Sequence, residues 1–193
     1  MKVLHIDSSI QGAASATREL TQEIVARLKA ARSDAKVTYR DLAAEQLPHF
    51  SPSSLTRADE LEATRNTAVL EEFLGADVLV IGAPLYNFSI PSQLKAWVDR
   101  ITVAGRTFRY TERGPEGLAG GKQVIVAVAR GGVYEPGSPA EFGESYLKFL
   151  FGFLGIRDVT FVRAEGLAQS AQHRESAMSA AREAIGVPAA LAA

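Results

Sequence analysis

Val78-Leu79-Val80-Ile81-Gly82-Ala83-Pro84-Leu85-Tyr86-Asn87-Phe88-Ser89-Ile90-Pro91-Ser92-Gln93-Leu94-Lys95-Ala96-Trp97-Val98 passes from an unbroken apolar run to a stretch of helical spacing. An apolar run without alternation reads as a strand covered on both faces, which is the habit of parallel sheets. Leu94, Trp97, Val98 and Ile101 recur every three or four residues, as on one face of a helix. Pro84 to Ile90 therefore form a loop at the carboxyl end of a buried strand.

The same unit recurs along the chain. Strand-like runs lie at about 2–8, 36–42, 76–83, 122–129 and 158–164, and all are expected to be covered on both faces. Helical spacing follows each of them: Leu20, Ile24 and Leu28, then Leu61, Val69, Leu70 and Phe73, then the helix from Gln93. Tyr146, Leu147, Leu150 and Leu154 mark a fourth helix, and an Ala-rich tail from about Gln172 a fifth. Five βα units are too few for an eight-unit barrel. They fit an α/β three-layer sandwich of flavodoxin-like type, with a five-stranded parallel sheet of order 2-1-3-4-5. That order sets the loops after strands 1 and 3 across one crevice. Thr107 to Thr111 alternates in the period of a strand, and turn residues follow at Gly114, Pro115 and Gly117. A small projecting hairpin is predicted there.

At 193 residues and 47% hydrophobic content, the whole chain, 1–193, suits one domain. The 21 basic and 22 acidic residues leave a net charge of -1 with no basic track, which argues against nucleic-acid binding. With no cysteine, thiol redox chemistry and thiolate metal sites are excluded, so any redox activity needs a bound cofactor. No apolar run approaches the roughly 20 residues of a membrane span, and the amino terminus reads as a strand instead of a signal peptide. The expectation is a soluble, cytoplasmic protein.

Three loops at the predicted carboxyl edge carry ligand-compatible residues. Leu85, Tyr86, Asn87 and Phe88 offer flat apolar surface with an amide, suited to a planar heteroaromatic ligand, although an aromatic turn packed on the core is the competing reading. Ser8 to Thr17 places hydroxyls and small residues just before a helix starting near Arg18, a phosphate cradle in which Ser15 equally reads as an N-cap. Ala129-Arg130-Gly131-Gly132 allows close backbone approach and positive φ at its glycines. Arg130 reads either as a cation for a phosphate or reduced ring, or as a surface arginine. There is no Gly-Lys-Ser/Thr phosphate loop and no Gly-x-Gly-x-x-Gly fingerprint, so a mononucleotide such as FMN suits the chain better than ATP or a tightly held NAD. No Gly-x-Ser-x-Gly elbow occurs, and the three histidines have no metal-binding spacing. His5 reads as a core residue, and His49-Phe50 as a surface loop or part of a lid. The run Tyr146 to Gly155 is apolar nearly all round, which means deep burial or a partner's cover.

Ala83-Pro84-Leu85-Tyr86-Asn87-Phe88-Ser89-Ile90-Pro91-Ser92-Gln93-Leu94-Lys95, Thr107-Phe108-Arg109-Tyr110-Thr111-Glu112 with Gly114-Pro115-Glu116-Gly117-Leu118, and Arg130-Gly131-Gly132 together resemble the FMN-dependent NADH:quinone oxidoreductases, or azoreductases. The resemblance runs from the first strand to at least Glu165-Gly166. It implies that Ser9, Ser15, Ala16 and Thr17 hold the FMN phosphate. It further implies that Leu85, Tyr86, Asn87 and Phe88 line the ring, and Ala129, Arg130, Gly131 and Gly132 its polar edge. Ala129 and Ala16 stand where the family often has serine and another polar residue. By the same resemblance the protein is a homodimer whose substrate pocket is shaped by Phe88, Tyr110 and Phe153.

The reaction so implied is ping-pong: NADH gives two electrons to the flavin, which passes them to a quinone or an aromatic azo compound. The flavin carries the chemistry, no protein group need act as a base, and Asn87 tunes the ring. The alternative is a flavodoxin-type electron carrier. Such carriers tend to be strongly acidic, unlike this near-neutral chain with its extra aromatic hairpin. A flavin-free sensor of aromatic ligands is a third reading.

Overall fold

A computed structural model describes residues 1–56, 59–135 and 138–186. The main sheet has strands β1 (Lys2–Asp7), β2 (Lys36–Asp41), β3 (Val78–Pro84), β6 (Gln123–Ala129) and β7 (Asp158–Ala164). They are all parallel and ordered β2-β1-β3-β6-β7. Numbered as main strands alone, this is the expected 2-1-3-4-5. The registers Asp7↔Gly82, Pro84↔Ala129 and Ala129↔Ala164 bring the carboxyl ends of four neighbouring strands level. The loops after them therefore open on one edge.

Helices α1 (Ala16–Ala31) and α6 (Ala171–Glu183) cover one face, while α3 (Glu60–Gly75), α4 (Ser92–Ile101) and α5 (Gly143–Phe153) cover the other, with α2 (Pro52–Thr56) a short turn beside α3. Successive β3 residues feed opposite cores: Val78 and Val80 pack with Leu20, Ile24 and Met178, whereas Leu79 and Ile81 pack with Phe73, Trp97 and Phe151. Both cores are fully buried at these positions, and each such side chain contributes about 1.5–3 kcal/mol. Trp97 also meets Phe73 edge-on, with ring centroids 5.9 Å apart.

Cover on both faces holds for β1, β3 and β6 but not for the outer strands. β2 exposes Lys36 to Tyr39, and β7 alternates between exposed and covered positions. Each is an edge strand with a single neighbour, so helices reach only part of its surface. Leu61 fits the helical spacing yet lies exposed in the first turn of α3, and Glu62 is the residue buried there. Its carboxylate accepts from the hydroxyls of Ser53 and Ser54 and lies 3.5 Å from Arg100.

The hairpin is present as β4 (Phe108–Thr111) and β5 (Gly114–Gly117), and its turn falls at Glu112-Arg113. Gly114 and Pro115, read from sequence as turn residues, are strand residues. Proline is tolerated because this two-stranded ribbon is all edge. The hairpin is pinned where Gly117 crosses the end of α5, since a Cβ at Gly117 would fall 2.1 Å from the Gly155 nitrogen. Helix α5 proves two-sided instead of deeply buried. Leu147, Leu150 and Phe151 enter the core, but Phe149 is 75% exposed.

Candidate active site

The phosphate-cradle segment is ordered by its own hydroxyls. A short 3-10 turn, Gly12–Ala14, leads to Ser15, whose Oγ accepts from the Arg18 N–H at 3.3 Å and caps α1. The helix starts at Ala16, two residues earlier than the sequence suggested, because the cap is Ser15. Its first N–H groups, those of Ala16 and Thr17 among them, have no acceptor within the helix. Ser15 is thus an N-cap and a crevice residue at once, and the Ser15 and Thr17 hydroxyls stand 3.1 Å apart.

Two crevices open at this edge. The first, about 320 Å³, gathers Ser15, Ala16 and Thr17 at the start of α1, Leu85 and Tyr86 after β3, and Ala129 and Gly131 at and after the end of β6. The second, about 520 Å³, is bounded by Ile10, Tyr86, Asn87, Ile90 and Tyr146. Tyr86 borders both, and its hydroxyl sits 3.1 Å from Ser9 Oγ. The loops after β3 and β6 are joined where the Leu85 N–H donates to the Ala129 carbonyl at 2.9 Å. Predicted residues from three separate loops thus meet around Tyr86.

The loop itself is a tight two-residue turn, in which Tyr86 and Ser89 exchange backbone bonds of 2.9 and 3.1 Å. Asn87 and Phe88 both sit in the left-handed region, at φ 49° and 72°. Asparagine tolerates this conformation, but a bulky aromatic is an outlier there. Phe88 is nevertheless 55% exposed, so core packing does not reward its strain. Phe88→Gly is expected to raise the folding stability by about 1 kcal/mol. Urea unfolding checks this, and a destabilised variant would show that Phe88 is held there by packing.

Several expectations change in detail. Gly131 and Gly132 do not adopt positive φ. They serve close approach instead: a Cβ on Gly131 would meet Ala168 at 3.2 Å, and one on Gly132 would meet Tyr134 at 3.4 Å. Arg130 is neither a surface arginine nor a free cation. It is buried, with its guanidinium against Glu144, 3.2 Å from Glu165 and 3.8 Å from Glu141. Three carboxylates hold it, so its place in the crevice is structural. His5 is buried as expected, whereas His49 is exposed and its neighbour Phe50 borders a different cavity beside α3 and α4.

Tyr110 and Phe153 do cluster, through Phe108, at centroid distances of 5.5 and 4.7 Å. They do not join Phe88 within one chain. The Phe88 carbonyl accepts from the Phe142 N–H at the start of α5, while Phe153 ends that helix after 11 residues, roughly 16 Å further on.

Sequence reading missed Gly82, Leu167, Ala168 and Arg174. The last three line the first crevice, and the signal for them was topological: the loop after the fifth main strand shares the carboxyl edge. Gly82 lies beneath the cradle, where a Cβ would stand 2.7 Å from Asp7 Oδ1 and 3.4 Å from Thr17. Asp7 is fully buried and accepts from Thr21 Oγ1 at 2.9 Å and from the Tyr39 hydroxyl at 3.1 Å. Burial, followed by the Asp7 charge, pushes the Tyr39 phenol up to about 12.

An open parallel sheet of this order, with its crevice at the β1/β3 switch point, defines a flavodoxin-like protein, and residues 1–187 match the family of that fold. The chain is 58% identical over 182 residues to the FMN-dependent NADH:quinone oxidoreductase of Xanthomonas oryzae pv. oryzae (strain MAFF 311018), covering 94% of this chain and 93% of that one. Among solved structures, azoreductase from Bacillus anthracis str. Sterne superposes with a TM-score of 0.86 at 32% identity, over 96% of each chain. An FMN-dependent NADH-azoreductase from Bacillus anthracis str. Ames Ancestor, solved in complex with FMN, gives 0.84 at 29% identity over 95% of this chain and 97% of that one. This chain belongs to the FMN-dependent NADH:quinone oxidoreductase family. Among its described residues, no helix is long and apolar enough to cross a membrane.

Proposed function

We propose that the chain works as one FMN-binding domain that takes two electrons from NADH and delivers them to quinones, and to aromatic azo compounds, by ping-pong exchange. The observation that carries this reading is the meeting at Tyr86 of a hydroxyl-lined helix start and a strained aromatic turn. The residues fit the cofactor. Ser15, Thr17 and the first N–H groups of α1 suit a phosphate, Leu85, Tyr86 and Phe88 suit a flat ring, and the Gly131 region lets backbone approach its edge. FMN bound there would supply the redox step, taking hydride from NADH and passing a hydride equivalent to a quinone, which becomes a hydroquinone on gaining one proton from solvent.

The chain's own work is positioning. The capped α1 holds the cradle, the Leu85-to-Ala129 bond fixes two walls relative to each other, and the Tyr86–Ser89 turn presents Asn87 on the second crevice, where its amide would meet the ring. The second crevice, about 520 Å³ and sharing Tyr86 with the first, would serve donor and acceptor in succession, which is what ping-pong exchange needs. A homodimer explains why Tyr110, 77% exposed, and Phe153 lie far from Phe88 in one chain: a partner copy would carry them to the pocket. A cytoplasmic location, where NADH is generated, suits that donor.

The test is anaerobic titration of the purified yellow protein with NADH, then with benzoquinone and an azo dye, followed by flavin absorbance. NADH alone should bleach the flavin and benzoquinone restore it. An electron carrier would stay yellow without a separate reductase, and that result would overturn the enzyme reading.

A further inference from the structure

The cradle residues predicted from sequence are all neutral: the three hydroxyls of Ser9, Ser15 and Thr17, one alanine and backbone N–H groups. A phosphate monoester carries between one and two negative charges near neutral pH, so a site without a cation leaves much of its attraction unused.

The arginines around the crevice can be taken in turn. Arg18, in the first turn of α1, is held by both oxygens of Asp41 at 2.7 Å and donates to the Ser9 carbonyl at 2.9 Å. The same pairing keeps the Asp41 carboxyl below the usual carboxylate range. Arg130 is held by Glu144, Glu165 and Glu141. Arg182 is paired with Glu19. Arg174 differs. It lies one turn into α6, is half-buried, lines the first crevice, and reaches across to the 3-10 turn before α1, where Nη2 lies 3.4 Å from the Ala14 carbonyl. That contact is long and leaves the guanidinium's other donors available. Of the two arginines lining this crevice, Arg174 alone is not held by carboxylates among the described residues.

We propose that Arg174 is a cofactor-binding residue that neutralises the phosphate of FMN at the α1 cradle, supplying from α6 the side-chain contact that Ala16 lacks. This rests on the placement of the phosphate given under Proposed function. A guanidinium suits the role because its donors engage two phosphate oxygens together. It also gives α6 a functional reason to pack beside the start of α1.

FMN and riboflavin differ only in the phosphate, so the pair isolates the claim. Each is titrated into flavin-stripped wild-type protein, Arg174→Gln and Arg174→Lys, with flavin fluorescence as the readout and circular dichroism as the check on folding. Wild type should prefer FMN over riboflavin. Arg174→Gln should lose about 10-fold or more in FMN affinity with riboflavin affinity unchanged, and its FMN binding should depend less on salt. Arg174→Lys should recover part of the loss. FMN affinity in Arg174→Gln equal to wild type, with the FMN preference intact, would overturn the role of Arg174 while leaving the cradle standing. Equal affinity of wild type for both flavins would instead overturn the cradle, and Arg174's role with it.

Discussion

Gly82→Ala should lower folding stability by about 2–4 kcal/mol and weaken FMN binding at the same time. The new methyl group would stand 2.7 Å from Asp7 Oδ1 and 3.4 Å from Thr17 Cβ and Oγ1. Neither neighbour can yield cheaply. Asp7 is a fully buried carboxylate on a short side chain, held by Thr21 and Tyr39, so moving it gives up hydrogen bonds to a charge. Thr17 sits in the first turn of α1, so displacing it shifts the cradle that Ser15 caps. Gly75→Ala is the control, since a Cβ there meets nothing within 4 Å. Urea unfolding midpoints and FMN titrations of both variants check the prediction. Matching midpoints would show that the sheet accommodates the methyl group and that α1 does not depend on this close approach.

Gly82 stands inside the stretch that reveals the fold, and its role was still not readable there. Periodicity reports which faces are covered, so the strand and helix runs, their alternation and the order 2-1-3-4-5 were legible. What periodicity does not report is which helix crosses a strand closely enough to exclude a Cβ. The site divides along the same line. Ser9, Ser15, Tyr86 and Gly131 were readable because loops at the carboxyl edge of such a sheet converge, and their residue types suit a ligand. Arg130 was misread because its fate is set by Glu141, Glu144 and Glu165, from a loop, a helix and the residue just past β7, which only the fold brings together. Arg174 was missed for a different reason: its helix was read only as an Ala-rich tail, yet its first turn lies on the crevice. Charges reveal their partners in three dimensions, whereas apolar spacing is local and survives in one.

Asn87→Gly should slow reduction of the bound flavin by NADH at least about 10-fold while changing FMN affinity far less. Glycine is the informative replacement because Asn87 sits at φ 49°. Alanine would add backbone strain to the loss of the amide, whereas glycine removes the amide and leaves the turn intact. The amide is exposed on the second crevice beside Tyr86 and is not needed to close the Tyr86–Ser89 turn, whose bonds are backbone to backbone. In the proposed role the amide would act on the ring's charge as electrons arrive, an interaction stronger after reduction than before it. A group acting in that way alters rate and potential more than ground-state binding. Stopped-flow reduction should show the slower phase, and spectroelectrochemistry a more negative flavin midpoint potential. An unchanged rate and potential would mean that the amide only fills the turn, with tuning left to the backbone. A loss confined to FMN affinity would make Asn87 an anchor for the cofactor, because an amide that binds oxidised and reduced ring equally cannot change how readily one becomes the other.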